Sequence, residues 1–426
     1  MTASKYASWF SILRMGLVQT ALGAIVVLTT STLNRVMVVE LALPAVFAGG
    51  LVGVHHVVQL LRPKFGYDSD MGAHRTPWIV GGVAVLGLGA VLASFSVSIM
   101  ENSTALGVSL GTLAFVMIGA GAGASGTSLL AMMATIVAPK RRAAAGSMVW
   151  IMMIFGFIVT TKLAGDALDP FTMSTLMTVT AVVSAAAFAL AVVAVWGLEA
   201  KFASARQSPA EASEARSSFR EVFAETPHTE LPTARVAEIW TEPAARAFTV
   251  FVFMSMLAYS TQDLILEPFA GAVHGFTPGE STKLTSEQYS GVLVGMLLVA
   301  FLAGRLGTIR VWTVAGCVVS GLALGLIAAS GIGWTLTTSD TSWSLVQMVQ
   351  LLGLGNGVFA AGAIGWMMTL ASEGKGQREG VRMGLWGGAQ AMAVAIGAFL
   401  GTVGFDVTRW IHGSPSFSYA LVFAVE

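Results

Sequence analysis

The chain has 426 residues, 55% of them hydrophobic and only 11% charged. A soluble domain carries roughly 25% charged residues, so the composition excludes an ordinary soluble fold and predicts an all-α, polytopic membrane protein. The 23 basic and 23 acidic residues balance and offer nucleic acid no footing. A single cysteine, Cys317, excludes an intrachain disulfide, and the first apolar run is too long, and lacks the small-residue cleavage site, for a signal peptide.

Apolar stretches of about 20 residues cross a bilayer. In chain order they fall at 12–33, 42–61, 77–99, 105–137, 143–165, 171–198, 245–270, 288–304, 311–333, 343–371 and 384–405. Residues 417–426 amount to half a span, which reads as a truncated twelfth helix. The one long polar stretch, 199–243, separates a six-helix half (1–198) from a second half (244–426). It reads as a linker, with a short surface helix at Ser217 to Ala224. All basic residues but Arg35, Lys162, Lys283 and Arg409 fall on one side of the alternating spans, which predicts a cytoplasmic N-terminus.

The halves also repeat. A shift of 236 places Gly119, Gly121, Gly126, Met132, Arg142 and Trp150 on Gly355, Gly357, Gly362, Met368, Arg378 and Trp386. A parallel repeat of two six-helix halves is the major facilitator architecture, with a cavity between the halves.

Ionisable residues inside a membrane are costly and normally face a partner in the bundle. The first span ends Asn34-Arg35 and continues to Glu40; the seventh ends Gln262-Asp263 and continues to Glu267. At 1.5 Å per residue, Arg35 and Asp263 lie roughly 25–30 Å from the basic side. Asp263 and Glu267 share a helical face. The expected arrangement is a latch in which Arg35 pairs with Asp263 or Glu267, against the alternative that all three are solvated at the interface.

His55-His56, in the second span about 10 Å from Arg62, is an unusual dipeptide, with Gln59 on the same face as His55. A neutral imidazole in lipid can ligate a metal, including the magnesium of a chlorin; the alternative is hydrogen bonding between helices. The other histidines (74, 228, 274 and 412) have no zinc-like spacing. Gly121-x-Gly123-x-x-Gly126 matches a dinucleotide fingerprint by letters alone, since no strand precedes it; small residues there serve close helix approach. Sequence inspection finds no nucleophile–base constellation.

Between the second and third spans lies LLRPKFGYDSDMGAHRTPW, residues 60–78. Gly66, Asp70, Gly72 and Arg75 read as a tight turn, with Thr76 capping the next helix and Pro77 in its first turn. The pattern is similar to the helix 2–3 loop motif of the major facilitator superfamily, except that Gly72 follows Gly66 by six residues rather than seven. Asp70 and Arg75, assisted by Arg142, are expected to hold the basic side of the first half.

Three blocks, LNRVMVVELALPA (33–45), SDMGAHRTPWI (69–79) and QDLILEPFAG (262–271), resemble the PucC/LhaA family, the bacteriochlorophyll-delivery branch of that superfamily in phototrophic bacteria. The likeness runs through nearly the whole chain. It implies a non-enzymatic factor of the bacterial inner (intracytoplasmic) membrane that assembles light-harvesting complexes. It further implies bacteriochlorophyll a as ligand, and antenna α and β polypeptides, the reaction-centre complex or bacteriochlorophyll-synthesis enzymes as partners. The residues alone leave an ion-coupled transporter of a small amphiphilic solute open.

Overall fold

The computed structural model describes residues 6–71, 74–138, 141–203, 240–303, 305–333, 337–338, 341–342, 344–373 and 379–426. Most of the linker, including Ser217 to Ala224, lies outside them, as does Gly72. Twelve helices carry the fold: α1 (Trp9–Glu40), α2 (Ala45–Leu61), α3 (Thr76–Met100), α4 (Thr104–Ile136), α5 (Arg142–Ala167), α6 (Met173–Val195), α7 in two segments (Pro243–Asp263 and Leu266–His274), α8 (Pro278–Leu302), α9 (Ile309–Gly331), α10 (Leu345–Glu373), α11 (Glu379–His412) and α12 (Pro415–Val425). Among the described residues, ten helices are long and apolar enough to span a membrane; α2 and α12 are shorter apolar helices.

Several boundaries differ from the sequence reading: α1 runs on to Glu40 rather than ending at 33, and α11 to His412 rather than 405. The α8 helix starts at Pro278, ten residues before the expected 288, with a capping box in which Thr277 and Glu280 satisfy each other's backbone N–H groups. Its first turns carry Ser281, Thr282, Thr285 and Ser286, which lower the hydropathy yet are buried. The stretch holding Gly66 and Asp70 is a helix, Arg62–Met71, and not a tight turn; Pro63 stands in its first turn, where proline is favoured.

Glycines set the helix crossings. Gly121 lies against the α3 backbone at Gly82 and Leu86, and Gly119 against the α2 backbone at His55. In the second half Gly355 lies against α9 at Ser320, and Gly353 against α8 at Gln288. Within α4 and α10 these packing roles correspond at a shift of 234 rather than the 236 read from the letters. Glycine recurs at every second position in both stretches, so both shifts match letters, but only 234 matches neighbours.

The bundle has one end rich in arginine, where Arg14, Arg62, Arg75, Arg142, Arg246, Arg305 and Arg310 stand at helix ends, and an opposite end. The halves meet toward the opposite end: α2 packs on α11 at Gly49 and Thr402, and α5 on α8 at Gly165 and Gly279. The α1 helix meets α7 and α8. A second, separate apolar cluster, Phe248 and Trp386 with Phe251 and Trp366, holds the second half together nearer the arginine-rich end.

Candidate functional site: the polar seam between the halves

The α1 helix is interrupted by two π-helical stretches, Leu28–Thr32 and Val36–Glu40. Such stretches are rare and concentrate at functional sites. They displace the polar residues Ser31, Thr32, Asn34 and Arg35, all buried, toward the second half. Ser31 and Thr285 both donate to Glu267 Oε1, and the Thr32 and Thr282 hydroxyls lie 3.1 Å apart. Asn34 Nδ2 donates at 2.5 Å to the carbonyl of Leu264, in the break between the two segments of α7. That side chain thus satisfies a backbone acceptor freed where helical bonding stops.

Arg35 is only 2% exposed. Its guanidinium donates to Glu40 and, at 2.8 Å, to the Phe276 carbonyl. The second acceptor is presented by the left-handed turn at Gly275 (φ 71°), which ends α7; glycine is suited to that conformation. Gly271 leaves the room the guanidinium fills, since a Cβ there would overlap it.

The expected latch of Arg35 with Asp263 or Glu267 is not an ion pair among the described residues, although Arg35 lies within electrostatic reach of Glu267. The ion pair is Arg35–Glu40, within α1. Residues five apart on a straight α-helix point about 140° away from each other; the π-helical stretch between them removes that separation. Glu267 is held by hydroxyls, and its Oε2 is buried without a hydrogen-bond partner among the described residues. Asp263 is half-buried, within electrostatic reach of Tyr259 and Tyr289, and Gln262 is buried with no partner for Oε1 among the described residues.

Three carboxylates that sequence reasoning left unassigned close the opposite end. Asp406 of α11 accepts from the backbone N–H groups of Ala45 (3.0 Å) and Val46 (2.8 Å). It thereby caps α2, whose own N-cap residue, Pro44, contributes no side-chain bond; a carboxylate there also meets the positive end of the helix dipole. Asp169, after α5, lies against Gly279 at the start of α8, the equivalent place in the other half. Asp166 pairs with Lys283 at 2.8 Å.

At the arginine-rich end, Arg75 Nη1 donates to the Ala131 carbonyl (2.8 Å) and the Thr135 hydroxyl (3.0 Å) of α4. The cap of α3 is Glu199, not Thr76. Its carboxylate accepts from the N–H groups of Arg75 (2.8 Å) and Thr76 (2.9 Å) and from the Thr76 hydroxyl (2.7 Å). Arg142 is exposed and donates at 3.3 Å to the Val137 carbonyl, at the end of α4. The side chain of Asp70 lies outside the described residues.

The two histidines separate. His55 is buried, and its Nε2 lies 2.7 Å from the Gln59 amide nitrogen. The Gln59 oxygen in turn accepts from Arg62, so the amide donates and Nε2 is the acceptor. Nδ1 then carries the proton and is buried without a partner among the described residues. With its lone pair engaged, His55 is not placed to ligate a metal. His56 is half-buried, edge-on to His55 at 4.8 Å between ring centroids, with no hydrogen bond to the described residues. Among the described residues no three His, Cys, Asp or Glu side chains cluster as a metal site.

A paired six-helix bundle with a polar seam between its halves is that of a multi-pass membrane protein of the major facilitator fold. Solved structures agree: the nucleoside transporter NupG matches with a TM-score of 0.67 over 97% of this chain and 96% of its own, at 13% identity. A proton-dependent oligopeptide transporter matches at 0.68 over 99% and 95%, at 14% identity. Within that class the chain belongs to the PUCC protein family, whose model matches residues 32–426. It is 46% identical over 98% of its length, and 92% of the relative's, to the bacteriochlorophyll synthase 44.5 kDa chain of Rhodobacter capsulatus. It is 28% identical to Protein PucC of Cereibacter sphaeroides, over 97% of this chain and 88% of that one.

Two outcomes follow from this geometry. Removing one member of a buried ion pair costs about 3–5 kcal/mol. Arg35→Met and Glu40→Leu should therefore each lower the thermal unfolding midpoint in detergent, and the double variant should lose much less than the sum of the two. Additive losses would contradict the pair. For Glu199, burial raises the carboxyl pKa, but the bonds from Arg75 and Thr76 outweigh it and the pKa falls below the ordinary value. A depressed carboxylate contributes stability above its unfolded pKa and loses it as pH falls through the folded one. A melt series from pH 7 to pH 3 should show an acid loss of stability that is smaller in Glu199→Gln than in the parent.

Proposed function

We propose that this protein is an assembly factor for photosynthetic light-harvesting complexes, which binds bacteriochlorophyll a and hands it to newly inserted antenna α and β polypeptides. The observation that carries the reading is membership of the PUCC protein family together with 46% identity to a chain named for bacteriochlorophyll synthesis. We read the role as non-enzymatic: the protein holds and transfers a pigment made elsewhere, and pigment-synthesis enzymes or the reaction-centre complex are its further neighbours. The setting is the bacterial inner, intracytoplasmic membrane, with the arginine-rich end and the N-terminus cytoplasmic, as the distribution of basic residues favours.

Of the two histidines, His56 fits such a pigment: its imidazole is half-buried and has no hydrogen bond to the described residues. A tetrapyrrole magnesium, when bound, would supply a Lewis-acid centre for a neutral imidazole. The residues at the seam would do the rest. Arg35, Glu40, Glu267 and Asp406 hold the opposite end shut, so that a pigment enters and leaves from the arginine-rich side or the membrane.

A second reading, an ion-coupled transporter, is favoured by the buried carboxyl of Glu267 between Ser31 and Thr285, where a proton could couple to separation of the halves. The two readings part on pigment content. Protein purified in mild detergent from a phototroph should carry a stoichiometric near-infrared bacteriochlorophyll band through size exclusion. Colourless protein that takes up solute in vesicles with an imposed pH gradient, and loses uptake in Glu267→Gln, would replace the first reading with the second.

A further inference from the structure

We propose that the groove between α3 and α4 at the arginine-rich end is a binding site for one anionic phospholipid, with an acyl chain in the groove and the phosphate at Arg62 and Lys64. Such a site stands whether or not the protein handles pigment.

The groove is a recess of about 320 Å³, open to the outside of the bundle, and its lining includes Phe65, Trp78, Gly81, Val85, Ala120 and Ala124. Glycines make both its floor and its mouth. Gly82 and Gly121 bring the backbones of α3 and α4 together, since a Cβ on either would overlap the other helix. Gly81, on the outer side, is exposed, and a Cβ there meets nothing within 4 Å. A helical glycine costs about 1 kcal/mol relative to alanine; at Gly81 it gains no packing and keeps the groove open. Phe65, from the helix Arg62–Met71, covers one end. Its ring lies 3.3 Å from where a Cβ of Gly123 would stand, and Arg62 Cγ lies 3.6 Å from the same point.

Three observations choose the occupant. First, the groove runs on toward the membrane centre between exposed apolar side chains, Val85 and Leu88 of α3 and Leu113 and Val116 of α4. From Pro77 to Leu88 the helix rises about 16 Å, close to half of a hydrocarbon core roughly 30 Å thick. That is the depth of one leaflet. Second, Trp78 stands in the first turn of α3, and tryptophan favours the level of the lipid headgroups.

Third, the charges at that end are cationic and uncommitted. Arg62 is exposed and bonds only Gln59 among the described residues. Lys64 is exposed and has no ion-pair partner among them; Asp68, one turn on, is half-buried and does not pair with it. Glu199 is taken up in capping α3. An apolar slot that ends in two such cations complements an anionic phospholipid. A recess of this volume takes an acyl chain more readily than a partner helix about 10 Å across.

The test is native mass spectrometry of delipidated protein titrated with phosphatidylglycerol or phosphatidylcholine of matched chains, with diazirine-tagged acyl chains to map contacts. The parent should retain one phosphatidylglycerol with at least fivefold preference, and the tag should label residues 77–88 and 113–124. Arg62→Gln combined with Lys64→Gln should cut the preference below twofold while the chain still labels the groove. Gly81→Leu, which has space for its side chain, should lower binding at least threefold and move the label elsewhere. Gly321→Leu on α9, equally exposed and open, should change neither. Equal uptake of both lipids, with label spread over all lipid-facing helices, would mean annular lipid only and overturn the proposal. A preference that survives both the double variant and Gly81→Leu would do the same. So would a benzophenone side chain at Val85 that captures a polypeptide instead of lipid in native membranes, because the groove would then belong to a partner helix.

Discussion

The constraint on which the rest of the structure depends is a guanidinium buried inside a membrane protein. Arg35 has to be neutralised and hydrogen-bonded where it lies, and the chain does so at both Nη atoms, locally and across the seam, while Nε has no partner among the described residues. The π-helical stretch Val36–Glu40 brings Glu40 to it, and the glycine turn that ends α7 brings the Phe276 carbonyl. Because one acceptor belongs to the first half and the other to the second, satisfying Arg35 also joins the halves. The neighbouring bonds, Ser31 with Glu267 and Asn34 with the Leu264 carbonyl, extend that junction along α1.

Around this point the opposite end is closed by carboxylates set against the starts of helices. Asp406 on α2 and Asp169 beside α8 occupy equivalent places in the two halves. Each puts a negative charge at the positive end of a helix that belongs to the other half, an interaction that favours contact without a buried cation. At the arginine-rich end the named carboxylate cap is internal to the first half and its linker, Glu199 on α3. Among the described residues the named carboxylate caps thus fasten the halves to each other at one end and act within a half at the other.

Much of the fold was legible in the sequence because hydropathy reports membrane helices directly. The start of α8 was not: Thr282, Thr285 and Ser286 depress hydropathy while facing α1, Glu267 and α5 rather than water, and Ser281 is buried with its hydroxyl on carbonyls of its own first turn. The repeat was legible but its register was ambiguous, since glycines at alternate positions match at two shifts and only neighbours decide. At the seam the right residues stood out as charges in apolar surroundings, yet their pairing did not. A straight helix keeps Arg35 and Glu40 apart, and π-helical stretches have no plain sequence signal. Asp406 could not be paired from sequence because its partners are some 360 residues away. His55 and His56 looked equivalent as letters, and the Gln59–Arg62 chain that separates them exists only in three dimensions.

The central claim is that the halves are fastened at the opposite end, where the named contacts between them lie. Paired-cysteine crosslinking in membranes, in a Cys317→Ser background, tests it most directly. Thr32→Cys with Thr282→Cys should form a disulfide rapidly on mild oxidation, since the native hydroxyls are 3.1 Å apart. Failure of that pair to crosslink would contradict the account.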